Sequence, residues 1–194
     1  MDHEYRLHNM PSHSVVLFSG GVDSAACAHF LQQKGQATEC LFVDYGQAAA
    51  QQEQQAASAL ADILSSPLTV TRFRSGQNFA AGEILGRNAF LVISALMSTR
   101  LTSGLLALGI HAGTRYYDCT PAFLQSLDRL VAEYTDGQVR VTAPFIYWSK
   151  HEIFDYYVSA GLPMHIPYSC EAGTTPACGS CASCLDRRTW DCSH

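Results

Sequence analysis

The stretch Val15–Ser24 reads V-V-L-F-S-G-G-V-D-S and decides the fold. Its first four residues form an apolar run typical of a buried strand, and residues 25–33 are typical of a helix. Two glycines between a strand and a helix let backbone N–H groups approach an anion closely, and the helix N-terminus adds partial positive charge. Ser19 and Ser24 add hydroxyl donors. We therefore expect a phosphate site at this turn.

The acidic residue of this turn is Asp23, which repels phosphate by itself. Its useful roles are therefore an N-cap or a contact to Mg²⁺. A plain tight turn is the simpler interpretation of two glycines, but the complete string S-G-G-x-D-S favours phosphate binding. The string matches neither G-x-x-x-x-G-K-[ST] nor G-x-G-x-x-G, so it is a different kind of nucleotide loop.

Apolar β-type runs and helical stretches alternate along the chain. This alternation predicts an α/β fold with a doubly wound, Rossmann-like parallel sheet of five strands. The ends of parallel strands share one edge, so Ser19, Asp44 and Gly113 are expected to lie close together. The further strands are predicted at 38–45, 67–74, 105–110 and 139–143, and the helices at 48–64, 89–102, 121–134 and from 148.

Length and composition favour one globular domain. The chain has 194 residues and a net charge of −5, which does not suggest an extended nucleic-acid surface. It contains no apolar run that could cross a bilayer and no apolar leader segment, so we expect a cytoplasmic protein. Residues 1–13 read as a tail, 14–164 as the nucleotide-binding domain and 165–194 as a metal-binding segment.

Four of the eight cysteines form a cluster near the C-terminus with the spacing C-x7-C-x2-C-x2-C. Four thiols within fifteen residues can wrap one tetrahedral ion, so we expect structural Zn²⁺. An iron–sulfur cluster is the rival, since C-x2-C-x2-C also opens a ferredoxin motif. The remaining cysteines read as small buried residues or bystanders. The predicted ligands are Cys170, Cys178, Cys181 and Cys184; the others are Cys27, Cys40, Cys119 and Cys192.

Two cations open predicted helices, where they oppose the helix dipole. Arg87 either binds a ligand or carboxylate, or is a surface residue paired with Glu83. Lys150 is either a solvated surface lysine or a phosphate or carboxylate contact. Ser149 and Glu152 form the pattern of a capping box at the same helix start.

The first motif resembles the pyrophosphate loop of the N-type ATP pyrophosphatases, the PP-loop superfamily. Together with the motifs that follow, the chain resembles the 7-cyano-7-deazaguanine synthases of queuosine biosynthesis, as a divergent member, over residues 14 to about 190. The motifs are F-S-G-G-V-D-S at 18–24, V-D-Y-G-Q at 43–47, G-R-N at 86–88, Y-D-C at 117–119, S-K-H-E-I at 149–153 and S-C…C-G-x-C-x-x-C…R at 169–187.

The resemblance implies a ligase that uses ATP to adenylate the carboxylate of 7-carboxy-7-deazaguanine, releasing pyrophosphate, and then forms an amide and a nitrile with ammonia. It implies Mg²⁺ and a homodimer, and no covalent nucleophile from the protein. The implied catalytic residues are Asp23, Ser24, Lys150 and Arg87. The implied ATP-binding residues are Phe18, Ser19, Gly20, Gly21, Val22, Asp23, Ser24 and Asp44, and the implied substrate-binding residues are Tyr45, Gln47, Asn88, Arg115 and Asp118.

The sequence departs from the family pattern around the expected base and amine sites. The family has a basic residue and a histidine after Tyr-Gly-Gln, where this chain has Ala48 and Ala49. One hypothesis is therefore a paralogue that stops at the amide or transfers the activated acid to another amine, such as a protein acceptor. Further alternatives are another N-type synthetase, a sulfur-transfer enzyme using Cys27 or Cys119, and a zinc-knuckle nucleotide-binding scaffold without catalysis.

Overall fold

The computed structural model describes residues 12–74, 79 and 82–191. Most of the predicted tail and Cys192 lie outside the described residues.

The core of the molecule is a five-stranded, entirely parallel sheet with the order β3-β2-β1-β4-β5. Val16 of the central strand lies between Cys40 of one neighbour and Ala107 of the other. The predicted α/β fold with a doubly wound parallel sheet is confirmed. The strands are β1 (His13–Leu17), β2 (Ala37–Asp44), β3 (Leu68–Arg72), β4 (Gly104–Leu108) and β5 (Val139–Thr142).

Helices cover both faces of this sheet. Alternate residues of β1 point to opposite faces: Val16 packs with α1, α2 and α5, whereas Val15 packs with α3 and α4. No helix in the described part of the chain is long and apolar enough to cross a membrane. The helices are α1 (Val22–Gln33), α2 (Ala50–Ile63), α3 (Arg87–Ser98), α4 (Pro121–Tyr134), α5 (Lys150–Ser159) and α6 (Ala182–Asp191), with a 3₁₀ turn at Tyr117–Cys119.

The strand order reverses between β1 and β4. The chain runs outward from β1 through β2 to β3, then returns to place β4 on the other side of β1. Open parallel sheets bind ligands in the crevice that such a reversal leaves outside the carboxyl ends of the strands. The turn at 18–24 follows β1 at this point, and the loops after β2 and β4 flank it.

Helix α1 begins at Val22, three residues earlier than the sequence predicted. The N-cap is Gly21, whose extended backbone (φ −87°, ψ 167°) lets the helix start directly after the glycines. The interpretation of Asp23 as the N-cap is therefore wrong, because Asp23 lies inside the first turn. The capping box of α5 is confirmed: Ser149 and Glu152 each accept a hydrogen bond from the other's backbone N–H.

Gly20 packs the turn directly onto helix α2. Its φ is +76°, in the left-handed region that favours glycine. A Cβ at this position would lie 2.6 Å from both the backbone nitrogen of Ala57 and the carbonyl oxygen of Glu53. The close approach between turn and helix is therefore possible only for glycine.

We expect Gly20→Ala to lower the free energy of unfolding by about 3 kcal/mol or more, because a left-handed non-glycine costs about 1–3 kcal/mol and overpacking adds a similar amount. Urea unfolding followed by circular dichroism measures it. Gly35→Ala is the matched control, since Gly35 has φ +81° and nothing within 4 Å of its added Cβ. An equal decrease in the free energy of unfolding in the two variants would show that the contact between Gly20 and α2 contributes nothing to stability.

Candidate active site and metal centre

A cavity of about 310 Å³ opens at the carboxyl edge of the sheet. Its walls come from the turn after β1, the ends of β2 and β4, the starts of α3 and α5, and the C-terminal segment. The structure thus brings together most of the site residues that the sequence suggested. Those lining the cavity are Phe18, Ser19, Gly21, Val22, Asp23, Ser24, Tyr45, Gln47, Arg87, Asn88 and Lys150.

Hydrogen bonds hold the glycine turn in shape. The hydroxyl of Ser24 donates to the carbonyl of Gly21 (3.0 Å) and lies 3.3 Å from the hydroxyl of Ser19. Gly109, just after β4, has no room for a Cβ because the carbonyl of Asp23 lies 2.6 Å from where that atom would be. The first N–H groups of a helix have no partner within the helix, so this turn presents donors to the cavity.

Lys150 reaches from the first turn of α5 to Asp23 in the first turn of α1. Its ammonium forms an ion pair with the Asp23 carboxylate. The interpretation of Lys150 as a solvated surface lysine is therefore wrong. The second carboxylate oxygen of Asp23, Oδ1, is buried without a hydrogen-bond partner among the described residues. Burial lowers the pKa of the neighbouring His111, whose imidazole also feels the charges of Asp23 and Lys150.

Arg87, the first residue of α3, lies beside Tyr45 and Glu53. The Tyr45 hydroxyl is hydrogen-bonded to the Arg87 side chain, and burial raises the pKa of Tyr45. Burial also raises the pKa of the Glu53 carboxyl, against the opposing effects of a hydrogen bond from Gln47 and the charge of Arg87. The described residues contain no ion pair between Arg87 and Glu83, so that alternative is wrong.

Asn88 and Asp118 join α3 to the 3₁₀ turn. The backbone N–H of Asn88 donates to the Asp118 carboxylate (3.2 Å), and the Asn88 amide donates to the Asp118 carbonyl (2.9 Å). Asp118 lines a smaller cavity of about 170 Å³ that adjoins the first. Six residues line both cavities: Tyr45, Gln47, Glu53, Arg87, Glu171 and Ser183.

Three residues that the sequence suggested line neither cavity. Asp44 accepts a hydrogen bond from the N–H of Gly46 and faces Arg72 at 3.8 Å. Arg115 is exposed, with its guanidinium over the ring of Tyr116. Gly20 belongs to the turn but faces α2, and its carbonyl accepts from the N–H of Tyr168. These positions shape or border the site without facing into the cavities.

The site residues that the sequence suggested omit seven polar residues that line the main cavity. Glu53 had a local signal, since it is the one charged residue between positions 48 and 61 of an Ala- and Gln-rich helix. The other six come from the C-terminal segment, whose cysteine pattern predicts a metal site. They are Tyr168, Ser169, Glu171, Ser183, Asp186 and Arg187.

The four predicted cysteine ligands form one cluster with the composition of a metal site. Their sulfur atoms all lie within 4.8 Å of one another. A tetrahedral zinc ion with Zn–S bonds of about 2.3 Å holds its sulfurs about 3.8 Å apart, so the set fits such an ion. Backbone N–H groups of Cys178 and Cys181 donate to Cys170 and Cys178 Sγ, as expected around thiolate ligands.

The metal segment forms one wall of the cavity. The Glu171 carboxylate accepts hydrogen bonds from the backbone N–H (3.1 Å) and hydroxyl (2.8 Å) of Ser183 in the first turn of α6. Arg187, farther along α6, donates to the carbonyls of Pro167 and Met164. A metal ion that orders this segment therefore also orders part of the cavity.

The other described cysteines are buried, as the sequence predicted. Burial raises the pKa of the Cys27 and Cys119 thiols, and that of Cys40 to about 12. Since the thiolate is the reactive form, these protonated thiols argue against the sulfur-transfer alternative.

Residues 13–83 and 74–190 match the family model described as "Queuosine biosynthesis protein QueC". The chain belongs to this family. The QueC-family chain is 30% identical over 203 residues to the 7-cyano-7-deazaguanine synthase of Haloarcula marismortui, covering 90% of this chain and 88% of that one. It is 32% identical to the enzyme of the same name from Koribacter versatilis, and the alignment covers 90% of this chain and 86% of that one.

One solved structure supports the fold alone. It is a predicted subunit of tRNA methyltransferase from Methanocaldococcus jannaschii, with a TM-score of 0.52, 17% identity and 75% of each chain covered.

We expect Cys184→Ser to lower the bound metal from about one ion per chain and to lower Tm by at least ~5 °C, because a structural metal stabilises the fold that holds its ligands. Elemental analysis and a thermal melt measure both. Cys119→Ser, which removes a buried thiol outside the cluster, should keep its metal. Full metal occupancy in Cys184→Ser would exclude the four-thiol site.

Proposed function

We propose that this QueC-family protein is an ATP-dependent carbon–nitrogen ligase that activates the carboxylate of 7-carboxy-7-deazaguanine. The relatives' name supports this substrate class. The observation that carries the proposal is the composition of one cavity: the glycine turn, Lys150 and Arg87 all line it. Such a cavity can hold two anions, the substrate carboxylate and the triphosphate, beside each other.

In the proposed reaction the substrate carboxylate is the nucleophile. One of its oxygens attacks the α-phosphorus of ATP, the bond from that phosphorus to the bridging oxygen breaks, and pyrophosphate leaves. Ammonia then attacks the acyl carbon of the adenylate, which gives the amide, AMP and a proton. The amide oxygen then attacks the α-phosphorus of a second ATP and displaces pyrophosphate. AMP leaves with that oxygen and the nitrogen loses its two protons, which gives the nitrile. The protein supplies orientation and charge and no covalent nucleophile.

The protein groups would offset the repulsion between the two anions. The N–H groups of the turn and the α1 dipole would hold the pyrophosphate portion, and Lys150 would move from Asp23 toward the transferring phosphate. The unpartnered Oδ1 of Asp23 suits Mg²⁺, which prefers oxygen ligands and would neutralise phosphate charge. Arg87 would face the substrate side of the same cavity.

The metal cluster would be structural. Four cysteines satisfy a tetrahedral zinc ion completely, so no position is left for water or substrate. Zinc would hold the segment that carries Glu171, Ser183 and Asp186 against the cavity. The resemblance also predicts a homodimer, which light scattering on the purified protein would test.

A second candidate has the same activation step with a different amine acceptor. Ala48 and Ala49 line the smaller cavity, where the family pattern has a basic residue and a histidine. Their methyl groups cannot form a hydrogen bond with an incoming amine or exchange a proton with it. The activated acid would then stop at the amide or pass to another amine, such as that of a protein.

Mass spectrometry of a mixture of the protein, ATP, 7-carboxy-7-deazaguanine and ammonium tests both candidates. We expect AMP and pyrophosphate to form only when the carboxylate is present, together with amide or nitrile. Complete conversion to the nitrile would exclude the second candidate. No AMP above the level without substrate would exclude adenylation. A parallel mixture with protein acceptors tests conjugation.

We expect Asp23→Ala to reduce AMP formation by at least about a hundredfold, because it removes the Mg²⁺ contact and the partner of Lys150 at the reacting phosphates. The fold should survive, since a partly exposed ion pair contributes about 1 kcal/mol or less. A coupled AMP assay and a thermal melt measure the two effects. Asp62→Ala, on the exposed end of α2, should keep full activity. Retained turnover in Asp23→Ala would remove the turn from the mechanism.

A further inference from the structure

The side-chain amide of Gln47 forms hydrogen bonds within the protein through both its oxygen and its nitrogen. Its oxygen accepts from the backbone N–H of Tyr45 (3.0 Å), and its nitrogen donates to the carbonyl of Val43 (3.2 Å) and to Oε2 of Glu53 (2.9 Å). An amide offers two N–H donors, and both are used here. Although Gln47 lines both cavities, it has no donor left for a ligand and acts by positioning Glu53.

Glu53 is a partly buried carboxylate that lines both cavities. Gln47 holds its Oε2, while its Oε1 accepts no hydrogen bond from any described residue. Burial raises the pKa of this carboxyl, and the hydrogen bond from Gln47 and the positive charge of Arg87 oppose that shift. Glu53 is thus a partly buried carboxyl group that Gln47 holds in place, with one oxygen not engaged by the described residues.

The other acidic residues around the cavities are engaged elsewhere, except for Glu83 of the smaller cavity, which is exposed to solvent. The two oxygens of Asp118 face the N–H of Asn88 and the thiol of Cys119. Asp23 is paired with Lys150, and the charge of Asp186 acts on His111. Glu171 is the nearest competitor, because its hydrogen bonds with the described residues, both from Ser183 at the start of α6, use only Oε1.

A 7-deazaguanine carries two adjacent donors on its six-membered ring, N1–H and the 2-amino group, on the side away from the 7-carboxylate. A carboxylate accepts such a donor pair with its two oxygens, each of which has two lone pairs. Reading a base by hydrogen bonds to this edge is a general mode of recognition. We propose that Glu53, oriented by Gln47, binds N1–H and the 2-amino group of the substrate base and so selects guanine-type over hypoxanthine-type acids.

This inference rests on the proposed function, and a binding experiment separates the two. Calorimetry measures the affinity of the full-length, metal-loaded protein for 7-carboxy-7-deazaguanine and for its analogue without the 2-amino group. We expect the wild-type protein to prefer the first by about tenfold to a hundredfold, the effect of one hydrogen bond to a charged group. Glu53→Gln should reduce this preference to less than about threefold without changing the affinity for ATP.

Two further variants complete the test. Glu53→Asp keeps the charge but withdraws the carboxylate by one methylene, and we expect it also to lose most of the preference. Glu171→Gln is the matched control, since it changes the competing carboxylate of the same cavities, and it should keep the wild-type preference. Thermal melts establish that each variant is folded.

The outcomes are distinct. If the wild-type protein binds ATP but neither base, the proposed function fails and this inference fails with it. If 7-carboxy-7-deazaguanine binds and stimulates AMP formation while Glu53→Gln and Glu53→Asp keep the preference, the function stands and the assignment to Glu53 is wrong. Loss of the preference in Glu171→Gln alone would assign the recognition to Glu171 instead.

Discussion

The site depends on one steric constraint, the close packing of the turn between β1 and α1. Gly20 has no room for a side chain because the backbone of α2 fills the space, and Gly109 has none because it meets the carbonyl of Asp23. On a third side of the turn, the backbone N–H of Tyr168 donates a hydrogen bond to the carbonyl of Gly20. A turn held from three directions presents its N–H groups in a fixed geometry. Preorganised donors of this kind stabilise developing charge without first rearranging.

The charges around this turn are arranged in pairs across different elements. Lys150 of α5 meets Asp23 of α1, and Arg87 of α3 lies against Tyr45 and near Glu53. Both cations begin helices, where the dipole disfavours them, so their positions are stabilised by the nearby acidic groups and by any anion that enters. The cavity is therefore suited to anions at two places, one at the turn and one near the adjoining smaller cavity.

The metal segment connects folding to the site. The short chain between Cys170 and Cys184 has few apolar residues, so a metal ion held by its four thiols would supply the order that apolar packing does not. The same segment carries Glu171 and, just beyond the last ligand, Asp186 into the cavity wall. A metal without any open coordination position can in this way affect ligand binding, because it fixes the residues that line one side of the cavity.

The sequence by itself determined the sheet, its parallel strands, the phosphate-type turn and the four-cysteine cluster, because each depends on residues adjacent in the chain. Most of the site residues that it suggested line one of the two cavities, but Gly20, Asp44 and Arg115 line neither. Only the tertiary structure decided the partners of Lys150 and Arg87, the commitment of Gln47 and the presence of Glu53 in the site. These contacts depend on how the helices pack across the end of the sheet. Residues such as Asp23 and Lys150 are more than a hundred positions apart in the chain, so their proximity leaves no local pattern in the sequence.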